Sequence, residues 1–328
     1  MKPIGHRPPS GMQGRAVRYG HWRAVTAAPA MIGSLLLLML ASAALNGWAG
    51  LLPLAWATCA AAATTGMGER MTVRATQGFH RPSPTQAAAL APAWSTALRV
   101  TGTAADDVEL YVQTARAPNA YAAGGRSVAV TSRVVEDSAT GRLPEHHLVA
   151  VLVHELGHHA TGATRPMLLV AWLTAPWRVA MSLMTGLANI LAGRQLRLGL
   201  AIVVIAGLAM AMARALDQGQ WMVGGVQAFI GLAAVLCPLL DAAVSRRAEL
   251  AADRFAADHG LALQLAAALL ALDDGRCAAS GWLRRLLASH PTSDRRISAL
   301  LAAAAASPVR APRSPGATST ALRGVPDA

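Results

Sequence analysis

Charge is scarce in this chain. Only 14% of its 328 residues are Asp, Glu, Lys or Arg, where a globular domain carries about a quarter. Hydrophobic residues make up 54%, which excludes a disordered chain, because disorder needs low hydrophobicity. Lysine is nearly missing. Lys2 is the single one, so arginine carries almost all the positive side of a formal net charge of +12. Cysteine is scarce too. Cys59, Cys237 and Cys277 lie far apart, which excludes a disulfide scaffold and predicts free, reduced thiols. Aromatic residues are 4% of the chain and are not interleaved with the arginines. The arginines sit beside apolar runs instead, as at the flanks of membrane spans, and no nucleic-acid partner is expected.

What the chain has instead is long apolar stretches. Residues 1–26 read as a basic, disordered tail. From Ala24 to Gly68, 45 residues pass without a charged side chain. One helix of that length would reach roughly 67 Å, about twice the hydrocarbon thickness of a bilayer. Asn46-Gly47, near its middle, is a turn signal. The segment 27–66 is therefore predicted to be a transmembrane helical hairpin, with arms at about 28–45 and 50–65. A cleaved signal peptide fits poorly, because the apolar stretch is too long.

Charges return over 67–166. Ser127–Val135, after Gly124-Gly125, is rich in β-branched residues and predicts a strand. Pro144 opens a helix that runs through His159. Within 167–240, residues 167–192 read as an interfacial helix pair broken by Trp172, Pro176 and Trp177. Leu198–Ala213 and Gly219–Leu240, with 16 and 22 uncharged residues, read as the third and fourth spans. Residues 241–305 are predicted to be helical and soluble, with Leu261, Leu265 and Leu269 four apart. Residues 306–328 read as a disordered tail. Trp48, Trp56, Trp172, Trp177 and Trp221 lie near predicted span ends and read as interfacial belts. Five basic residues precede the first span and the 46–50 turn has none, which places the N-terminus in the cytoplasm.

The chemistry is concentrated in His154-Glu155-Leu-Gly-His158, an H-E-x-x-H pattern on a predicted helix. His154 and His158 are four apart, so both imidazoles project from one face and can share a metal. Glu155 is turned about 100° from His154, alongside the metal, where it can hold a water rather than ligate. Two histidines with oxygen chemistry favour zinc. His159, turned away from His158, reads as a solvated neighbour, and His146 and His147 as surface histidines.

A catalytic zinc needs a third protein ligand and an open position. Glu249 and Asp253 are four apart on one helix. Glu249 is the candidate ligand, and one of the pair can ligate while the other accepts from the second nitrogen of a ligating imidazole. A solvated helix with local charge pairs to neighbouring arginines is the bland alternative.

Four motifs occur in order: Pro118-Asn119-Ala120-Tyr121-Ala122 with Gly124-Gly125; His154-Glu155-Leu-Gly-His158; Glu249-x-x-x-Asp253 followed by Arg254-Phe255-Ala256; and Ser289-His290-Pro291-Thr292 with Arg296-Ile297. On these the chain resembles the HtpX-like membrane zinc metallopeptidases, gluzincins related to the CAAX prenyl proteases, over about residues 30–303. The resemblance implies a mainly α, integral membrane chain. About four transmembrane helices would carry a cytoplasmic gluzincin-type α+β zinc peptidase domain with a small edge-stranded sheet.

It further implies one Zn2+ per chain, held by His154, His158 and Glu249, with Glu155 as general base. Asp253 would orient a ligating histidine. The strand after Asn119 would pair with the substrate backbone, with Asn119 and Ala120 as the residues that meet it. His290 would stabilise the oxyanion, and Arg296 would hold the local structure or assist it. The implied substrates are protein or peptide, above all misfolded membrane proteins, and the implied setting is the bilayer of a bacterial inner membrane, with both termini cytoplasmic. Tyr121 stands where the family usually has phenylalanine, and residues 167–192 are longer than in short members.

The rival reading is a membrane sensor-transducer that cleaves only a regulatory partner or itself. Such a chain is expected to carry a fused ligand domain, and the 23 residues after Ala305 are too few to fold as one.

Overall fold

The structure is a computed structural model. It describes residues 10–44, 50–164, 167–191, 194–272, 288 and 290–306. The Asn46-Gly47 turn, Trp48, Cys277, Ser289 and most of the expected C-terminal tail lie outside the described residues.

The chain enters on one long helix, α1 (Ser10–Ala44). It starts inside the segment 1–26 that was expected to be disordered. Within it, Trp22–Ala44 is 23 residues long and is the one stretch, among the described residues, both long and apolar enough to cross a membrane. The expected second arm is shorter than 50–65: α2 (Leu51–Ala63) has 13 residues, or roughly 20 Å against a hydrocarbon layer of about 30 Å. The chain turns there because Thr65 caps the next helix, α3 (Gly66–Gln77), its hydroxyl accepting from the Gly68 amide at 3.0 Å. Gly68 also sits against the carbonyl of Ala62, where a Cβ would collide.

The sheet-bearing part begins with β1 (Phe79–His80) and α4 (Pro84–Thr101). Ser83 and Gln86 form a reciprocal capping box at the start of α4, and Gly102 closes it in the left-handed conformation that glycine tolerates. Then come β2 (Glu109–Gln113), β3 (Ala120–Ala123) and β4 (Ser127–Thr131). The strand predicted over Ser127–Val135 is cut short. Val134 and Val135 belong to a helix, α5 (Ser132–Ala139), and bury from one face of it. The sheet order is β1-β2-β4-β3, with β2 and β4 parallel and the outer pairs antiparallel. β3 is thus an edge strand, and β4, buried along its length, lies inside the sheet.

α6 (Glu145–Ala160) carries the H-E-x-x-H residues. Leu148, Leu152 and Val153 on α6 pack against Leu90 and Ala97 of α4, Val128 and Val130 of β4, and the later helices α11 (Ala262–Leu272) and α12 (Ser293–Ala306). Between α6 and α11 run α7 (Met167–Leu173), α8 (Ala175–Leu191), α9 (Arg194–Asp217) and α10 (Trp221–Asp258). The 38 residues of α10 form one helix. It joins the apolar run read as a fourth span to the segment carrying Glu249, with no break between them.

Three of the tryptophans, Trp56, Trp172 and Trp177, hold helices together, whereas Trp221 stands 71% exposed at the start of α10. Trp56 of α2 and Trp172 of α7 each donate an indole N–H to the other's carbonyl, at 3.4 and 3.1 Å. Trp177 lies across Gly33 of α1, and its amide donates to Ser34 Oγ at 3.1 Å.

Candidate active site

The site forms where α6 crosses the C-terminal half of α10. Gly157 makes the crossing close: a Cβ there would stand 3.1 Å from the Phe255 side chain and 3.2 Å from the Ala252 backbone. Ala248, Ala252 and Ala256 supply the small face of α10. Two helices that approach this nearly bring side chains from each to one point.

That point is occupied by His154, His158 and Glu249, whose ligating atoms all lie within 4.8 Å of one another. His154 Nε2 is 3.5 Å from Glu249 Oε2, and His158 Nε2 is 3.6 Å from Glu249 Oε1. Two ligands at about 2.0–2.1 Å from a tetrahedral zinc stand about 3.4 Å apart, so the donor set fits zinc. The protonation states agree for two of the three. Burial, with the neighbouring His154, lowers His158 to about 3, leaving a neutral imidazole. Burial opposes ionisation of Glu249, but hydrogen bonds from His154 and His290 prevail and hold it well below the carboxylate range.

His154 is oriented from behind. Its Nδ1 donates to Asp253 Oδ1 at 3.0 Å, which leaves Nε2 for a metal. Burial disfavours its charged form, yet the hydrogen bonds to Asp253 and Glu249 raise it to about 9; a metal held at Nε2 would compete with that proton. Asp253 is in turn gripped by Arg296, whose Nε and Nη2 reach the two carboxylate oxygens at 2.8 and 2.6 Å. Arg296 also reaches Glu249 at 3.3 Å. One guanidinium thus fixes both carboxylates of α10 from α12.

Glu155 is buried beside this cluster. Burial raises its carboxyl to about 7, and the charge of Glu249 adds to the effect against the opposing pull of His154 and Arg296. A carboxyl poised near neutrality suits a proton acceptor. His290 stands at the open side, 69% exposed, with Nδ1 3.1 Å from Glu249 Oε1. That hydrogen bond raises it above the ordinary histidine range.

The edge strand lies against α6. Asn119 precedes it: its carbonyl accepts from the Thr131 amide at 2.9 Å and its side chain accepts from the Ala120 amide at 2.9 Å. Antiparallel alternation then turns the backbone of Ala120 and Ala122 away from β4, towards the open edge. Tyr121 packs with Phe79 and Tyr111 on the β1–β2 side.

Three residues of this architecture were not legible as functional. His159 is no solvated neighbour: its ring bridges the Ser127 carbonyl at 3.1 Å and the Thr164 hydroxyl at 2.9 Å, tying α6 to β4. Arg23 of α1 donates to Ser245 Oγ at 2.8 Å and to the Ala163 carbonyl at 3.5 Å, joining α1 to α10 and to the turn after α6. Glu69 of α3 accepts from the Gly125 and Arg126 amides at 2.8 and 3.1 Å and so fixes the β3–β4 turn. One signal pointed at the last two. Arg23 and Glu69 are the charges that bracket the 45-residue uncharged run.

The model of peptidase family M48 matches residues 84–304. The match begins at the first residue of α4 and takes in every residue of the cluster described above. Comparison with curated proteins finds no match.

Proposed function

The chain belongs to peptidase family M48, and from that premise we propose that it is an HtpX-like, membrane-integral zinc metalloendopeptidase. Its substrates in this reading are misfolded membrane proteins of a bacterial inner membrane. The carrying observation is the convergence of His154, His158 and Glu249 within 4.8 Å, with Glu155 buried alongside.

One zinc per chain, held by those three residues, would supply a Lewis acid for the peptide carbonyl and make a water acidic near neutral pH. Glu155 accepts the proton of that water and returns it to the leaving amine. His290, at the open side, donates to the developing oxyanion, an interaction whose loss typically costs about 100- to 1000-fold in rate. Asp253 and Arg296 act by position: they fix the ring of His154 and the carboxylate of Glu249. At the open edge the Ala120 carbonyl and the backbone groups of Ala122 face away from β4 and are offered to an extended substrate, as strand addition requires, while Asn119, its own backbone bonded to Thr131, anchors the start of the strand.

Four embedded helices fit the reading: α1, α2, α9 and the first half of α10. Apolar side chains such as Leu40, Leu54, Ile205 and Leu232 are exposed along them, as lipid-facing surfaces are. The Arg23 end of α1 touches Ser245 and Ala163, which puts the peptidase half at that end of α1, and α2, too short to cross alone, returns the chain part of the way towards it. Arginines mark that side as cytoplasmic.

The test is a pair of proteins purified in detergent, wild type and Glu155→Gln, each stripped of metal and reloaded with zinc. Near-stoichiometric zinc in both, with casein cleaved only by wild type, is the expected result. Cleavage by zinc-loaded Glu155→Gln would remove Glu155 as the base.

A further inference from the structure

Away from the metal cluster, a groove of about 400 Å³ runs between α1 and α10. That volume lies within the roughly 300–1,000 Å³ typical of ligand sites. Its walls are apolar: Val25 and Pro29 on α1, Phe229, Leu232, Leu236 and Leu240 on α10. Along α10 it extends from Phe229 to Arg247, roughly 27 Å at about 1.5 Å per residue. One leaflet of hydrocarbon is about 15 Å deep, half of a core of about 30 Å, so a chain entering at one end is walled along its whole length.

The two ends differ. At the Phe229 end the lining is hydrocarbon. At the other end stand Arg247, exposed, and Trp22, 59% exposed. No acidic side chain lines the groove. Arg23 is already committed to Ser245 and Ala163, whereas Arg247 has no acidic partner among the described residues. A cation and an indole over an apolar slot match the chemistry of an anionic amphiphile: phosphate at the guanidinium, headgroup beside the indole, tail in the slot.

We propose that the α1–α10 groove is a binding site for one anionic phospholipid, with its phosphate at Arg247 and an acyl chain along Val25, Pro29, Leu236 and Leu240. The site rests on the membrane placement of α1 and α10 given above. It also has a consequence for the metal cluster. Arg247 is two residues before Glu249 on the same helix, and Arg23 staples α1 to α10 at that level. A lipid filling the groove therefore braces the helix that delivers the third metal ligand.

The test uses full-length protein carrying Glu155→Gln, so that self-cleavage plays no part. It is delipidated in detergent and titrated with phosphatidylglycerol or phosphatidylcholine, with retained lipid counted by native mass spectrometry. One phosphatidylglycerol per chain is expected to saturate at lower concentration than phosphatidylcholine. Arg247→Gln should weaken phosphatidylglycerol about fivefold, the worth of roughly one interfacial arginine, and phosphatidylcholine by less, because its choline already offsets the phosphate charge. Leu236→Trp, which fills the slot, should abolish the saturable site for both lipids. Equal binding of the two lipids, or selective binding that survives both substitutions, overturns the proposal. Alkaline carbonate extraction of the membranes reads the placement separately: release of the protein would sink the membrane reading itself.

Discussion

The two halves of α10 are built from the same helix and live in different surroundings. In the first half Trp221, Met222 and Leu232 are 71%, 86% and 60% exposed; in the second Ala248, Ala252 and Ala256 are 2%, 0% and 0% exposed. Large apolar side chains stand outward where the solvent is read as lipid, and small ones turn inward where a helix must come close. The contrast teaches that the candidate metal site depends on backbone proximity, not on a large core. Alanines on α10 meet Gly157 on α6, and Glu249 and Asp253 ride in on the same face. The first half, by contrast, has only to be apolar.

Substitutions in the two halves should therefore differ by orders of magnitude. The largest effect is expected from Glu249→Ala, which removes a ligand: zinc content should fall from about one per chain to near none, with casein cleavage undetectable. Met222→Ala in the first half, 86% exposed and away from the groove, should leave both within twofold. Equal losses from the two would break the comparison.

Asp253→Asn comes next. It keeps the shape but weakens the acceptor behind His154, and zinc affinity is expected to fall about 10- to 100-fold, read by competition with a chromophoric chelator. Arg296→Lys, which cannot grip both oxygens of Asp253, should move in the same direction by less.

Gly157→Val sharpens the role of proximity. Overpacking of this kind costs about 1–3 kcal/mol, which lowers the melting temperature by several degrees in a thermal scan. Zinc content should drop with it, because α6 and α10 are forced apart. A variant with unchanged melting and zinc would show that the crossing is not tight.

The smallest effect is expected at Glu69. Glu69→Gln loses the charged acceptor that fixes the β3–β4 turn, and should raise KM for a peptide substrate severalfold with kcat nearly constant. A fall in kcat alone would place the effect at the metal cluster instead of the edge strand.

Much of the site was legible because chemistry imposes spacing. His154 and His158 had to share a helix face, and α6 confirms the helix. Glu249 and Asp253 were paired by the same four-residue interval, and both come to the cluster on α10. The edge position of the strand after Asn119 also agrees with the expectation, since β3 pairs on one side only among the described residues.

What escaped was set by tertiary contact. His159 points off the metal face, and its partners, Ser127 and Thr164, are supplied by the fold. The strand over Ser127–Val135 failed because β-branched Val134 and Val135 bury equally well from one face of a short helix. The hairpin's second arm shortened to Leu51–Ala63 because a threonine cap competes with apolar continuity, which hydropathy does not weigh. Trp56 and Trp172 were read by position along the chain, while their mutual hydrogen bonds depend on α2 and α7 meeting. The match to peptidase family M48 covers Pro84 to Ala304; the helices before it are held by their own contacts.

The central claim is that α6 supplies two metal ligands and α10 the third. A zinc-edge X-ray absorption spectrum of the purified full chain tests it most directly. The account predicts two imidazole nitrogens with oxygen donors, all at about 2.0–2.1 Å, and no sulfur shell near 2.3 Å. A third imidazole would place His290 on the metal instead of Glu249, and that result, or a chain that retains no zinc at all, would contradict it.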